Sequence, residues 1–232
     1  MARFANNTLR CRCCAVVLPV TLPAARAANP ATWLHASVPA IAHPIADVCI
    51  DCIVQHPPVD ATLAALDYAY PWSGLISTFK FGEQPGWAPF FAALLRNAPG
   101  AGQALSCLQA SDLILPVPLS KERLQTRGFN QAWELAAALA LQSGSPARTD
   151  SRLLLRVKNT RPQTELKREA RHDNVKGAFQ IDPLRIAELT GKRVVLVDDV
   201  MTSGASLFTA ASVLRAAGAA HITGLVLART PL

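Results

Sequence analysis

Two sets of side chains in this 232-residue sequence have types and spacings suited to chemistry. The first is the acidic pair Asp198-Asp199, which follows the apolar run Val194-Val195-Leu196-Val197 and precedes Val200-Met201-Thr202-Ser203-Gly204-Ala205-Ser206. Small residues let backbone N–H groups approach an anion, and Thr202, Ser203 and Ser206 add hydroxyls. A helix starting there contributes its dipole. Carboxylates beside such a cradle suit a ligand that also presents hydroxyls or a divalent cation, and a ribose 5-phosphate satisfies both halves. The plainer alternative is a strand end followed by a helix capped by Ser203 or Ser206. A receiver domain also carries paired aspartates but needs most of a domain after its first strand, and only 33 residues follow Asp199. Neither G-x-x-x-x-G-K-[ST] nor G-x-G-x-x-G occurs, so the common ATP and dinucleotide loops are excluded.

The second set is Cys11-x-x-Cys14 and Cys49-x-x-Cys52. Each pair supplies two thiolates from one tight turn, and together they offer the four ligands of a tetrahedral structural Zn²⁺. The 34 residues between the pairs exceed the usual ribbon spacing of about 15–20, which fits an Ala/Pro-rich insertion, Ala15–Val48, that loops out. Cys13 is an alternative ligand, Cys107 reads as a buried apolar residue, and dithiol redox chemistry competes with the zinc reading. Zinc implies a reducing compartment.

The elements that must position these groups follow from patterning. Residues 1–60 hold five of the six cysteines and show no sustained periodicity. A short strand around Asp67–Tyr70 then precedes helices over Trp72–Phe79 and Ala88–Asn97, with a Pro/Gly break over Asn97–Gln103. Beyond Ser111 the pattern alternates: strand Leu113–Pro118, helix Phe129–Gln142, strand Arg152–Val157, strand Phe179–Ile181, strand Arg193–Val197, helix Ser206–Ala217 and strand Ile222–Leu227. Short, wholly apolar strands are covered on both faces, so the fold class is α/β with a mostly parallel sheet flanked by helices. Ligands of such sheets bind beyond the carboxyl ends of the strands. The expected organisation is a small cysteine module over 1–60 and one α/β domain over 61–232.

Composition narrows the function class. Half the residues are apolar and 17% charged, which excludes bulk disorder, and six cysteines are too few for a disulfide scaffold. No heptad or fixed repeat occurs. The net charge of +7 calls for a polyanionic partner. It lies wholly in the C-terminal half: residues 1–118 carry six basic and six acidic side chains, residues 119–232 carry 17 and 10. The longest stretch without Asp, Glu, Lys or Arg, Ala27–Ala46, contains three prolines and two histidines, unsuited to a spanning helix. Arg3, Arg10 and Arg12 precede an apolar run as in a signal peptide, but Pro19, Pro23 and the cysteines at its start argue against export, so the expected location is cytoplasmic.

The stretch VVLVDDVMTSGAS resembles the 5-phosphoribosyl-1-pyrophosphate (PRPP) motif of type I phosphoribosyltransferases. Further segments narrow the resemblance: Tyr70-Pro71 through Leu75-Ile76 to Phe79-Lys80-Phe81, Pro116-Val117-Pro118-Leu119-Ser120, Arg127-Gly128-Phe129-Asn130-Gln131, Arg161-Pro162-Gln163-Thr164, and Asn174-Val175-x-Gly177-Ala178-Phe179. With the two CxxC pairs, they are similar to the ComF family of competence-associated proteins, which includes the ComFC and GntX-like members. The resemblance spans 66–229.

The resemblance implies that Asp198 and Asp199 face the ribose hydroxyls and a Mg²⁺–pyrophosphate complex, while Val200 to Ser206 hold the 5-phosphate. It also implies that Ser120, Lys121 and Arg123 form the pyrophosphate loop, with Arg127 beside it. Arg161–Lys176, with Arg161, Lys167, Arg168 and Arg171, becomes a flap. That basic segment also reads as a nucleic-acid surface, or as a solvated helix face with Glu165 and Glu169 pairing neighbouring bases. Phe129, Trp133 and Phe179 are candidates for base stacking, with core packing as the alternative. The implied function is a PRPP-binding, phosphoribosyltransferase-like protein of DNA uptake or utilisation. The alternative is a single-stranded-DNA-binding or regulatory protein that uses the PRPP fold without turnover. A base-salvage transferase fits less well, because it has no use for the paired CxxC segment. The acceptor and the oligomeric state stay open.

Overall fold

The computed structural model describes residues 8–18, 47–82, 84–158 and 177–231. Its centre is a five-stranded, wholly parallel sheet of order β1-β7-β6-β2-β3. The strands are β1 (Ala61–Asp67), β2 (Leu113–Pro116), β3 (Arg148–Thr149), β6 (Arg193–Met201) and β7 (His221–Arg229). A separate antiparallel ribbon joins β4 (Leu154–Arg156) to β5 (Phe179–Ile181). The helices are α1 (Ile50–Gln55), α2 (Trp72–Phe81), α3 (Ala88–Arg96), α4 (Ala101–Ser106), α5 (Lys121–Arg127), α6 (Gln131–Ser143) and α7 (Ala205–Ala216). A 3₁₀ stretch, Pro183–Leu189, leads into β6.

Alternate residues of the buried strands feed two apolar layers, as the period of two requires. Ile114, Val195, Val197, Leu225 and Leu227 meet Phe79 of α2, Phe91 and Leu95 of α3, and Leu135 and Leu139 of α6. On the other face Leu113, Leu115, Val194, Leu196, Ile222 and Val226 meet Leu207, Ala210, Ala211 and Leu214 of α7. That second layer also takes in Cys11, Cys14, Val16, Leu18 and Cys52, so the first cysteine turn packs onto the sheet. Gly224 of β7 is the contact that lets α7 lie close. A Cβ there would sit 3.1 Å from both Leu207 methyls and from Thr62 Oγ1.

The chain runs from β2 outward to β3, then crosses back to β6 on the other side of β2. The order of strands reverses between β2 and β6, which opens a crevice at their carboxyl ends. Pairing deepens it. β2 follows β6 only as far as Pro116 opposite Val197, whereas β7 follows it to Arg229 opposite Met201. The last four residues of β6 therefore overhang the crevice, with no strand among the described residues on the β2 side.

Several boundaries differ from the sequence expectation for identifiable reasons. The strand placed around Asp67–Tyr70 ends at Asp67 and begins at Ala61; its Ala-rich sequence has little β preference, and partnering by β7 makes it a strand. The strand expected to stop at Val197 runs on through Asp198 and Asp199 because β7 is nine residues long. The break over Asn97–Gln103 contains the start of α4, after Gly100 at φ +82°. Cys107, expected in the core, is exposed at the end of α4. Among the described residues, no helix is long and apolar enough to cross a membrane.

Candidate functional site

Five elements, β6, α2, α5, α7 and β4, meet at the crevice. The overhang of β6 presents the acidic pair. Asp198 accepts the Asp199 N–H at 2.9 Å, and Asp199 accepts the Val200 N–H at 2.6 Å, so both carboxylates are tied to their own strand. Asp199 also pairs with Lys80 of α2 at 3.1 Å, with both side chains largely shielded. Burial, then the neighbouring negative charge of Asp199, raises the Asp198 carboxyl to about 7. Burial beside Asp199 disfavours the charge of Asp198, and a ligand cation would restore it.

The turn after the pair is shaped by Gly204 at φ +83°, the residue preceding α7. A Cβ at that position would lie 2.5 Å from Phe208 Cε2 and 2.7 Å from Met201 Cε, so only glycine fits. Ala205 donates its N–H to Ser203 Oγ at 3.4 Å, and Phe208 donates to the Gly204 carbonyl at 2.8 Å. Thr202, Ser203 and Ser206 remain partly exposed around the turn, while Met201, Gly204 and Ala205 are buried and Val200 is half-buried. The start of α7 thus combines hydroxyls with backbone donors beside two carboxylates, as an anion with a polyol requires.

Across the crevice the loop after β2 carries cations. Ser120 is buried and accepts the Arg123 N–H at 3.4 Å, which makes it the cap of α5. Lys121 points to solvent, whereas Arg123 and Arg127 are partly covered. The Arg127 guanidinium lies 4.6 Å from the centre of the Phe81 ring. Burial lowers its pKa, Asp199 opposes that shift, and Arg123 adds to it. Arg156 of β4 lies over Phe179 at 5.2 Å. Burial, reinforced by Arg123, lowers it to about 10, and Asp198 pulls the other way. Arg123, Arg127 and Arg156 therefore share one field with the acidic pair.

Lys80 and Arg156 are the two site cations that sequence reasoning missed. The signal for Lys80 was available: it is the sole Lys or Arg between Arg26 and Arg96, inside the quoted Phe79-Lys80-Phe81 segment. Arg156 falls inside the expected strand Arg152–Val157, and nothing in its own spacing pointed inward. Arg161 and Arg171, with the rest of the expected flap, lie outside the described residues. Phe179 is buried and Phe129 packs on Phe79 at 5.8 Å between ring centres, so both serve packing. Three other basic residues of the C-terminal half are committed elsewhere. Arg185 pairs with Asp150 and Glu188, Arg148 pairs with Glu188, and Arg215 pairs with Asp60.

The two CxxC turns come together as the sequence indicated. The sulfurs of Cys11, Cys14, Cys49 and Cys52 all lie within 4.8 Å of one another, and those of Cys14 and Cys49 are 3.7 Å apart. A tetrahedral Zn–S₄ centre with bonds of about 2.3 Å separates its sulfurs by about 3.8 Å, so the quartet fits such a metal. The Cys49 N–H also donates to Cys11 Sγ at 3.3 Å. Hydrogen bonds from Cys14 and Cys52 hold the Cys11 thiol low, while Cys14 is pushed up to about 12, first by its bond to Cys11. A divalent cation bound by the quartet favours thiolate throughout. Cys13 stands outside the quartet, and its carbonyl accepts the Thr62 hydroxyl at 2.7 Å.

Comparison with known proteins agrees with this architecture. The family described as Phosphoribosyl transferase domain matches residues 127–231. DNA utilization protein YhgH of Salmonella typhimurium is 33% identical over 182 residues, 78% of this chain and 78% of its own. Competence protein F of Haemophilus influenzae is 34% identical over 181 residues, again 78% of each chain. Competence protein ComFC of Bacillus subtilis is 33% identical over 119 residues, covering 51% of this chain and 45% of its own. With identities of 33–34% to two such relatives across 78% of its length, the chain belongs to the ComF family.

Proposed function

We propose that the protein binds PRPP at the carboxyl edge of the sheet and acts in DNA utilisation. The observation that carries this reading is the overhang of β6, where Asp198 and Asp199 project past the end of β2 and run directly into the Gly204 turn. Thr202, Ser203, Ser206 and the first amides of α7 would take the 5-phosphate, with the acidic pair on the ribose hydroxyls. Arg123, Arg127 and Arg156 would face the pyrophosphate, which gains charge as its bond to C1 breaks. Mg²⁺ bound with PRPP would neutralise part of that charge. Transfer would displace pyrophosphate from C1 by an acceptor nucleophile, and the chain's contribution would be positioning and charge stabilisation. The cysteine quartet is assigned to structural Zn²⁺, the location to the cytoplasm, and the division to a zinc module over 1–60 and a transferase-like domain over 61–232.

The names of the relatives support the DNA context, and a second reading draws on the same cations. Arg127 lies over the exposed Phe81, and Tyr70 is also exposed; cations with aromatic faces are what single-stranded DNA selects. Titration with PRPP·Mg²⁺ and with a single-stranded oligonucleotide, separately and together across a salt series, separates the readings. PRPP saturation that persists at high salt, with DNA affinity falling steeply, supports a PRPP site. DNA binding with no response to PRPP at any salt would sink it.

A further inference from the structure

Arg229 is a buried cation that neither the acidic crevice nor the cysteine cluster uses directly, yet it touches both. It is the last residue of β7, only 4% exposed, and sits in register with Met201 of β6 and Asp67 of β1. Its Nε donates to the Cys14 carbonyl at 2.7 Å. Its Nη1 donates to the Met201 carbonyl at 3.2 Å and the Thr230 carbonyl at 2.6 Å, and the Thr230 N–H returns to Met201 at 3.0 Å. Cys14 is one of the four sulfur donors, and Met201 is the residue from which the Gly204 turn departs, with its methyl beneath that glycine.

We propose that Arg229 is a positioning residue through which the metal site sets the geometry of the turn over 201–206. This rests on the PRPP reading only for its functional consequence. A planar guanidinium whose donors point in fixed directions holds carbonyls at fixed relative positions, unlike a flexible ammonium. The neighbourhood reinforces the fixation. Arg10 donates to the Ala15 carbonyl at 3.0 Å and pairs with Asp67 at 2.8 Å, so the first cysteine turn is held at two points along the same edge. With the four sulfurs held by a metal, the Cys14 carbonyl is a fixed acceptor. With the metal removed, the turn relaxes, a buried charge loses part of its satisfaction, and the strain passes to its remaining acceptors, the Met201 carbonyl among them. Coupling of this kind is reciprocal, so a ligand ordering the turn would also tighten the metal site.

The test is hydrogen exchange on the full chain, with Zn²⁺ bound and after chelation, in the wild type and in Arg229→Met. Chelation of the wild type is expected to accelerate exchange of the 202–208 amides by about tenfold, within the usual range of coupling energies, while 135–139 in α6 stay protected. Arg229→Met is expected to show that fast exchange with its zinc content intact, and chelation should add nothing further. Unchanged protection of 202–208 on chelation overturns the proposal, as does an equal acceleration in both proteins. Loss of protection in α6 together with the turn also overturns it, because the metal would then be a general staple. If Arg229→Met fails to fold, Arg229→Lys, which keeps the charge but not the fixed donor directions, takes its place in the same measurements with the same deciding outcomes. PRPP affinity measured in parallel separates the two claims. A wild type that shows the exchange effect but no PRPP binding refutes the ligand, not the coupling.

Discussion

At the residue scale the site is a compromise between folding and binding. Asp198 sits where burial and Asp199 oppose its charge, and its carboxyl is raised from 3.8 to about 7. A carboxyl whose folded pKa lies above its unfolded value costs stability once it ionises. The cost is absent below about pH 4, grows as pH rises to about 7, and is constant above. Asp198→Asn, compared with the wild type in buffer without Mg²⁺, should therefore be more stable at about pH 8, by on the order of 1–3 kcal/mol, with the advantage vanishing near pH 4. Denaturant melts across pH check this, and a constant difference at all pH values would contradict the assignment. Lys80 offsets part of the same repulsion through Asp199. The pair was legible in the sequence because a run of four apolar residues delivers it, whereas its counter-ion lies 119 positions away and only folding brings it there.

At the element scale the cysteine turns are as much part of the core as the helices. Arg10 and Val17 bridge across the first turn, Cys49 precedes α1, and Thr62 of β1 bonds both Arg12 and Cys13. A metal that binds only the folded quartet adds stability by mass action, about 2.7 kcal/mol when free zinc is 100 times its Kd. Cys49→Ala is predicted to lower the zinc content from one per chain to well below that and to lower the melting temperature. Elemental analysis and calorimetry of both proteins test this, and equal metal in the two would refute the zinc assignment. Strands β2 and β6 and helices α6 and α7 were readable from apolar runs and from Gly144 and Gly218, which end the two helices. Strand β1 was not, because ATLAALD is held by its neighbour rather than by its own preference.

At the scale of the whole molecule, nine cations among the described residues fall into three roles. Arg148, Arg185 and Arg215 tie loops and helices together, Arg10 and Arg229 fasten the cysteine turn to the sheet, and Lys80, Arg123, Arg127 and Arg156 surround the acidic pair. Composition located the excess charge in the C-terminal half, but one site cation, Lys80, comes from the neutral half. No charge count could have assigned it. What the topology adds is the strand reversal between β2 and β6, which turns scattered motifs into two walls of one crevice. The most direct measurement is calorimetric titration of PRPP·Mg²⁺ into the zinc-loaded wild type and into the Asp198→Asn/Asp199→Asn variant. Saturable binding by the wild type, weakened by at least about tenfold in a variant that keeps its fold and metal, is the predicted result. Equal affinity in both proteins would contradict the placement of the site.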